Sequence, residues 1–239
     1  MKAEYVENLE QLIGSDQNKI ILETNMLHHL LSVSRLRIGE EVLLLNGKGL
    51  KVRVSTVSIN KVQATFKVEK KEFFSTNSQT NFLTIGLCAP KKPALEECLK
   101  IIVELGLKNL IVINSERSID INKHKERLLN VMISAIKQSN NPFLPLVSYN
   151  NLLSINFSEY EKVYLFDSFE EIKKRDIDKV EKDKKYLLLI GPEGGFSKEE
   201  VVSLNKIPNL VKLGLPIPIA TTPTFVSFII GVFYNRSVE

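Results

Sequence analysis

The segment Tyr186-Leu187-Leu188-Leu189-Ile190-Gly191-Pro192-Glu193-Gly194-Gly195-Phe196-Ser197-Lys198-Glu199-Glu200 restricts the fold more than any other part of the chain. Its first residues are apolar without alternation, so both faces of that strand must be covered. A glycine-rich turn follows. Ser197, with Glu200 three residues later, forms a capping box that starts a helix. A doubly buried strand that turns into a helix predicts a mostly parallel sheet layered with helices. Ligands of such sheets bind beyond the carboxyl ends of the strands, where this turn lies. Gly191, Gly194 and Gly195 can adopt positive φ and let a ligand approach the backbone. The turn has neither the Gly-Lys-Ser/Thr of a phosphate loop nor GxGxxG spacing. A tight structural turn accounts for one or two of the glycines. All three, with Pro192 and Glu193, point to a ligand loop.

The rhythm around this segment agrees with an α/β fold. Residues 82–88, 110–113, 163–166 and 210–213 read as further buried strands. Residues 93–105 form an amphipathic helix with Leu95, Cys98, Leu99, Ile102 and Val103 on one stripe and Gly106 as its stop. Residues 123–138 form a second, with Leu128, Val131, Met132, Ala135 and Ile136 inward. The charged stretch 170–185 reads as a solvated helix and turn laced with ion pairs.

The first seventy-odd residues behave differently. Residues 41–46, 50–58 and 62–68 read as strands, separated by Asn46-Gly47-Lys48-Gly49 and Ile59-Asn60-Lys61 as tight turns. Residues 25–34 read as a short helix capped by Asn25. Together they predict a small barrel-like or sandwich module over 1–73, and a polar stretch at 74–81 divides it from an α/β domain over 74–239.

A second loop, 213–224, runs Leu-Gly-Leu-Pro-Ile-Pro-Ile-Ala-Thr-Thr-Pro-Thr. Thr222 and Pro223 suit an N-cap and first helical position, and the apolar helix beyond, 224–234, calls for burial in the domain or against a partner subunit. Pro216 and Pro218 stiffen an extended loop that either walls an adenine pocket through main-chain contacts or is a plain connection.

Composition excludes several classes. No apolar run is long enough to span a bilayer, and the N-terminus lacks the apolar core of a signal peptide, so a cytoplasmic location is expected. Cys88 and Cys98 do not make a disulfide framework, nor a metal cluster with His28, His29 and His124, so no metal is expected. A net charge of +4 permits nucleic-acid binding without arguing for it.

The ordered series of motifs resembles the RsmE-type uracil-N3 methyltransferases of the SPOUT superfamily across essentially the whole chain. His28-His29-Leu30, Arg35, Gly39-Glu40 and Asn46-Gly47-Lys48-Gly49 are similar to that family's N-terminal PUA-like RNA-binding barrel. Lys91-Lys92, Glu104-Leu105-Gly106, Ser115-Glu116-Arg117-Ser118, Gln138-Ser139, Leu144-Pro145, the 190–196 loop and Leu213-Gly214 follow in the family's order.

The resemblance implies a homodimer and a C-terminal trefoil-knotted parallel sheet with helices on both faces. It implies S-adenosylmethionine as cofactor, and methylation at N3 of one uridine in small-subunit (16S) ribosomal RNA, free or in the assembled subunit. It places the cofactor against Phe166, Ile190, Gly191, Pro192, Glu193, Gly194, Gly195, Leu213, Gly214, Leu215, Ile217 and Thr222. Arg35, Lys91, Lys92 and Arg117 become candidate RNA phosphate contacts. Glu193 is a candidate base or, through backbone N–H groups, a brace for its own loop; Arg117 is a candidate to stabilise an anion on the uracil. The catalytic base is left unassigned.

The family pattern breaks after Leu213-Gly214. Where relatives carry Arg-Ile-Leu-Arg and then Glu-Thr-Ala, this chain has Pro216-Ile217-Pro218-Ile219 and Thr221-Thr222-Pro223. The family's glutamate before Gln-Ser is Lys137, and an arginine after it is Asn141. Two expectations follow: an active enzyme whose rearranged loop holds adenine by its backbone, or a non-catalytic RNA-binding relative that has lost the cofactor or turnover.

Overall fold

A computed structural model describes residues 1–13, 18–27, 30–31, 35–75, 81–119, 124–167, 179–214 and 220–238. The chain forms two compact units, Met1–Thr76 with Met132–Leu144, and Asn77–Val131 with Pro145–Glu239.

The first unit is a five-stranded sheet of β1 (Lys2–Tyr5), β2 (Lys19–Glu23), β3 (Glu41–Leu45), β4 (Leu50–Ile59) and β5 (Gln63–Phe73), with a single helical turn, α1 (Leu9–Leu12). Its order is β1-β3-β4-β5-β2, antiparallel except where β1 runs parallel to β3. Alternation works as it should on β4, where Leu50, Val52 and Val54 point into a core with Ile20, Val42 and Phe66. Ala3, Leu43 and Leu45 make a second buried cluster. The turn before β4 is locked by Asn46, whose Oδ1 accepts the N–H groups of Lys48 and Leu50. Gly47 and Gly49 within it have φ of 71° and 106°.

Two strands here are unforeseen by alternation, β1 and β2. Each is short and sits at an edge, so its pattern is brief. β5 runs on to Phe73, beyond the expected end at Val68, through charged residues paired across to β4. The expected helix at 25–34 is replaced at its start by a 3-10 turn, Thr24–Leu27; His28, His29 and 32–34 lie outside the described residues.

The second unit alternates strands and helices: β6 (Leu83–Cys88), α2 (Lys92–Glu104), β7 (Asn109–Asn114), α3 (Lys125–Ser139), β8 (Leu146–Asn151), β9 (Lys162–Phe166), β10 (Val180–Glu181), β11 (Tyr186–Ile190), α4 (Lys198–Leu204), β12 (Leu210–Lys212), α5 (Thr222–Arg236) and β13 (Ser237–Val238). The unit boundary at residues 131 and 132 falls inside α3. Six strands form one fully parallel sheet, ordered β12-β9-β11-β6-β7-β8. Every residue of the central β6 and β11 is buried, as continuous apolar runs demand. β8 was not foreseen because its sequence, Leu-Val-Ser-Tyr-Asn-Asn, is polar and half-exposed at the sheet edge.

α2 buries Leu95, Cys98, Leu99, Ile102 and Val103, the predicted stripe. It ends in a Schellman motif, with Gly106 N–H on the Val103 carbonyl and Leu107 N–H on that of Ile102. Gly106 supplies the left-handed φ of 74°. α5 packs on α2 and hydrogen-bonds to its end, the Tyr234 hydroxyl donating to the Leu105 carbonyl at 2.8 Å. One expectation for α5 is corrected. Its N-cap is Thr221, one residue before Thr222, because Pro223 is accommodated in the second helical position. Only one side is buried within the chain, through Pro223, Val226, Ile229, Ile230 and Phe233, while Phe228 stays 41% exposed.

Most of the charged stretch 170–185 lies outside the described residues. Its described end bears the expected ion pairing, with Lys184 at 3.0 Å from Glu181 and 3.6 Å from Glu161. β10 there pairs with β13.

Candidate functional site

Because the six strands run parallel, their carboxyl ends share one edge of the sheet. Of the candidate cofactor residues, Phe166, Gly191 and Leu213 come together at that edge around the end of β9. Gly191 donates its N–H to the Phe166 carbonyl at 3.0 Å, and Leu213 donates to the Leu165 carbonyl at 3.0 Å. The glycine loop and the Leu213 loop therefore flank one strand end. α5 joins them through Phe225, whose ring meets that of Phe166 edge-on at 5.3 Å. Thr222 is half-buried at the start of that helix. Leu215 and Ile217, with the two prolines, lie outside the described residues.

Phe166, Ile190 and Leu213 are each about nineteen-twentieths buried, with 5%, 5% and 4% exposure. Their side chains belong to the core, which leaves main-chain groups as what they can offer a ligand. Such a lining suits a flat heterocycle whose edge is read by backbone hydrogen bonds.

The three glycines have separate reasons. A Cβ on Gly191 would lie 2.8 Å from the Phe196 ring, which is itself buried. Gly195 closes a turn by donating to the Pro192 carbonyl at 2.9 Å, with φ 70°. Packing therefore requires the first and backbone conformation the second. Gly194 differs: it is exposed, and an added Cβ would meet the Arg117 side chain at an ordinary 3.5 Å. It is the glycine whose bareness the fold does not demand, and it leaves the backbone open to close approach.

Arg117 lies in the loop after β7, and its Nη1 donates to the Gly194 carbonyl at 2.7 Å. The sequence left it as a phosphate contact or anion stabiliser; the structure first makes it a hold on the glycine loop. A guanidinium has about five N–H donors, so this bond leaves others for an anion. Lys91 and Lys92 are exposed where β6 gives way to α2. Arg35 belongs to the first unit, exposed and in the left-handed region with φ 48°.

Glu193 is exposed. The carboxylate that braces the loop is Glu200, buried to 7% exposure and bonded at both oxygens to the backbone N–H groups of Glu116 and Ser197, each at 2.9 Å. The capping box signalled the bond to Ser197; nothing local signalled the bond to Glu116. Beneath this edge lies Cys88, whose thiol is pushed up to about 12 by burial, with the Glu200 and Asp167 carboxylates adding to the rise. It stays a neutral core thiol, not a nucleophile. Among the described residues, no group of His, Cys, Asp and Glu side chains could hold a metal ion.

Residues 77–226 match the family model for the RNA methyltransferase domain, which takes in β6 through the first turn of α5 and every loop just described. The chain belongs to the RNA methyltransferase domain family. It is 29% identical over 215 residues to a ribosomal RNA small subunit methyltransferase E 2 of Borreliella burgdorferi, covering 85% of this chain and 86% of that protein. A ribosomal RNA small subunit methyltransferase E of Aquifex aeolicus is 36% identical over 102 residues, 41% of this chain and 44% of the relative.

Among solved structures, the fold of this RNA methyltransferase family member matches a ribosomal RNA small subunit methyltransferase E from Neisseria gonorrhoeae bound to S-adenosyl methionine. The TM-score is 0.78 at 23% identity, over 98% of this chain and 97% of that one. A putative methyltransferase from Legionella pneumophila in complex with the same cofactor gives 0.77 at 21% identity, over 100% and 99%. The α/β fold with its parallel sheet is thus the fold of S-adenosylmethionine-bound methyltransferases.

Proposed function

We propose that this protein is an RsmE-type methyltransferase that uses S-adenosylmethionine to methylate N3 of a uridine in small-subunit ribosomal RNA. The observation that carries the reading is the coincidence of the family match, 77–226, with three loops meeting at one carboxyl edge of a parallel sheet. When bound, the cofactor supplies an electrophilic methyl group on sulfonium.

The protein's own part is positioning and exclusion of water. Main-chain groups at Phe166, Ile190, Gly191, Pro192, Glu193, Gly194, Gly195, Leu213 and Gly214, with Leu215, Ile217 and Thr222, hold the cofactor. Gly194 offers the bare stretch of backbone. Alignment of the uracil nitrogen in such a pocket supplies much of the acceleration. The imide proton must leave, and Arg117, with donors to spare beyond its bond to Gly194, stabilises the negative charge on the uracil oxygens. Lys91 and Lys92 receive the RNA phosphates beside it, and Arg35 does so from the first unit, read as a PUA-like RNA-binding barrel.

On the same reading the C-terminal parallel sheet is trefoil-knotted, the protein works in the cytoplasm, and the exposed side of α5 around Phe228 meets a second copy in a homodimer. Among the described residues, no helix is long and apolar enough to cross a membrane.

Calorimetric titration with S-adenosylmethionine and S-adenosylhomocysteine tests the cofactor assignment. Saturable binding of both supports the enzyme. A folded protein that binds small-subunit RNA in a salt-dependent way but neither cofactor, with or without that RNA, would make it a non-catalytic relative.

A further inference from the structure

A capping box needs one oxygen of its glutamate, and Oε2 of Glu200 fulfils that role on the Ser197 N–H. Oε1 does something else: it accepts the Glu116 N–H at 2.9 Å, from the loop that follows β7. The next residue of that loop, Arg117, donates to the Gly194 carbonyl at 2.7 Å. Two consecutive residues thus grip the glycine turn on both sides of Gly195 and Phe196. The gripping loop is itself tied, with Ser115 N–H on the Ser118 hydroxyl at 2.8 Å and Ser118 N–H on the Ser115 carbonyl at 3.1 Å. Burying a carboxylate is costly unless its oxygens are satisfied, and here each accepts a backbone N–H.

We propose that Glu200 is a positioning residue: with Arg117 it clamps the glycine turn to the 115–118 loop and fixes the backbone that receives the cofactor. The proposal rests on the methyltransferase reading above. The clamp works through main chain on a loop that borders the cofactor, so its loss falls on cofactor affinity more than on turnover.

The test uses the full chain. Glu200→Gln keeps shape and volume, yet in either orientation its amide NH2 faces one of the two N–H donors, so one bond is lost. Arg117→Ala removes the other hold from an exposed position, and Arg117→Lys restores the charge and part of the reach. In hydrogen exchange without ligand, Glu200→Gln and Arg117→Ala should speed exchange at Glu116, Gly195 and Ser197 by ~10-fold while β6 and β11 are unchanged. Calorimetry should show S-adenosylmethionine binding weakened ~10-fold, with kcat at saturating cofactor within about twofold of wild type for Glu200→Gln. Arg117→Lys should recover part of both losses. A lowered melting temperature with unchanged loop exchange and unchanged cofactor affinity would overturn the clamp and leave a merely structural cap. Wild-type protein that binds no cofactor, with or without small-subunit RNA, overturns the methyltransferase reading and, with it, the clamp's purpose. Wild-type binding with equal affinity in Glu200→Gln overturns the clamp alone.

Discussion

The ring of Phe225 meets the ring of Phe166 edge-on, with centroids 5.3 Å apart and planes at 62°. This contact ties the first turn of α5 to the end of β9, between the strand ends that carry Gly191 and Leu213. Phe225→Ala should lower stability by about 2 kcal/mol, since a half-buried ring and an aromatic pair are lost together. It should also weaken S-adenosylmethionine binding, while Phe225→Leu keeps most of both. Chemical denaturation and cofactor titration of the two variants check this.

The glycines of the loop are predicted to separate into two kinds. Gly191→Ala forces a Cβ to 2.8 Å from the Phe196 ring, so it should cost about 1–3 kcal/mol in overpacking strain. Gly194→Ala has ordinary van der Waals room, so its melting temperature should match wild type within error. Its cost should appear in cofactor binding instead. Thermal unfolding and calorimetry on both proteins decide it; equal destabilisation would refute the distinction.

The ammonium of Lys137 lies 3.0 Å from Glu4, whose side chain is only 6% exposed. Removing the cation takes one partner from a buried carboxylate that also accepts the Tyr5 N–H at 3.1 Å. Lys137→Met should therefore cost about 1–3 kcal/mol, and adding Glu4→Gln should recover part of it. Urea denaturation of the single and double variants measures the coupling.

Both cysteines are held protonated by burial, their thiols pushed up to about 12. At about pH 8 a thiol reagent should label neither in the native protein and both after unfolding. The linkage has a definite sign. The folded thiols have the higher pKa, so their contribution to stability is complete below the ordinary thiol value near 9 and is lost as pH rises from there toward 12. Cys88→Ser with Cys98→Ala should flatten that alkaline fall, which melting curves across the range reveal.

The central strands were legible because burial on both faces leaves an unbroken apolar run, as in Leu83–Cys88 and Tyr186–Ile190. β1, β2 and β8 were not, since short edge strands with mixed polarity carry little period. The same split holds at the site. The glycine turn announces itself through composition and the capping box, and the structure sets Gly191 and Leu213 beside the end of the strand that carries Phe166. The clamp does not, because Glu200 and Glu116 are 84 residues apart and only the fold makes them neighbours. The demand for Gly191 comes from packing that a sequence does not display, whereas the positive φ of Gly195 is what a glycine turn suggests. For α5 the apolar composition predicts burial in the domain or against a partner subunit, and within the chain Pro223, Val226, Ile229, Ile230 and Phe233 are buried while Phe228 is exposed.

The most direct test of the methyltransferase account is mass spectrometry of nucleosides from small-subunit ribosomal RNA after incubation of unmethylated subunits with this protein and S-adenosylmethionine. The account predicts 3-methyluridine, formed in proportion to enzyme and abolished when S-adenosylhomocysteine is in excess. Absence of any methylated nucleoside, under conditions where the protein binds both cofactor and subunit, would contradict it, as would methyl transfer to a ribose or to a base other than uracil.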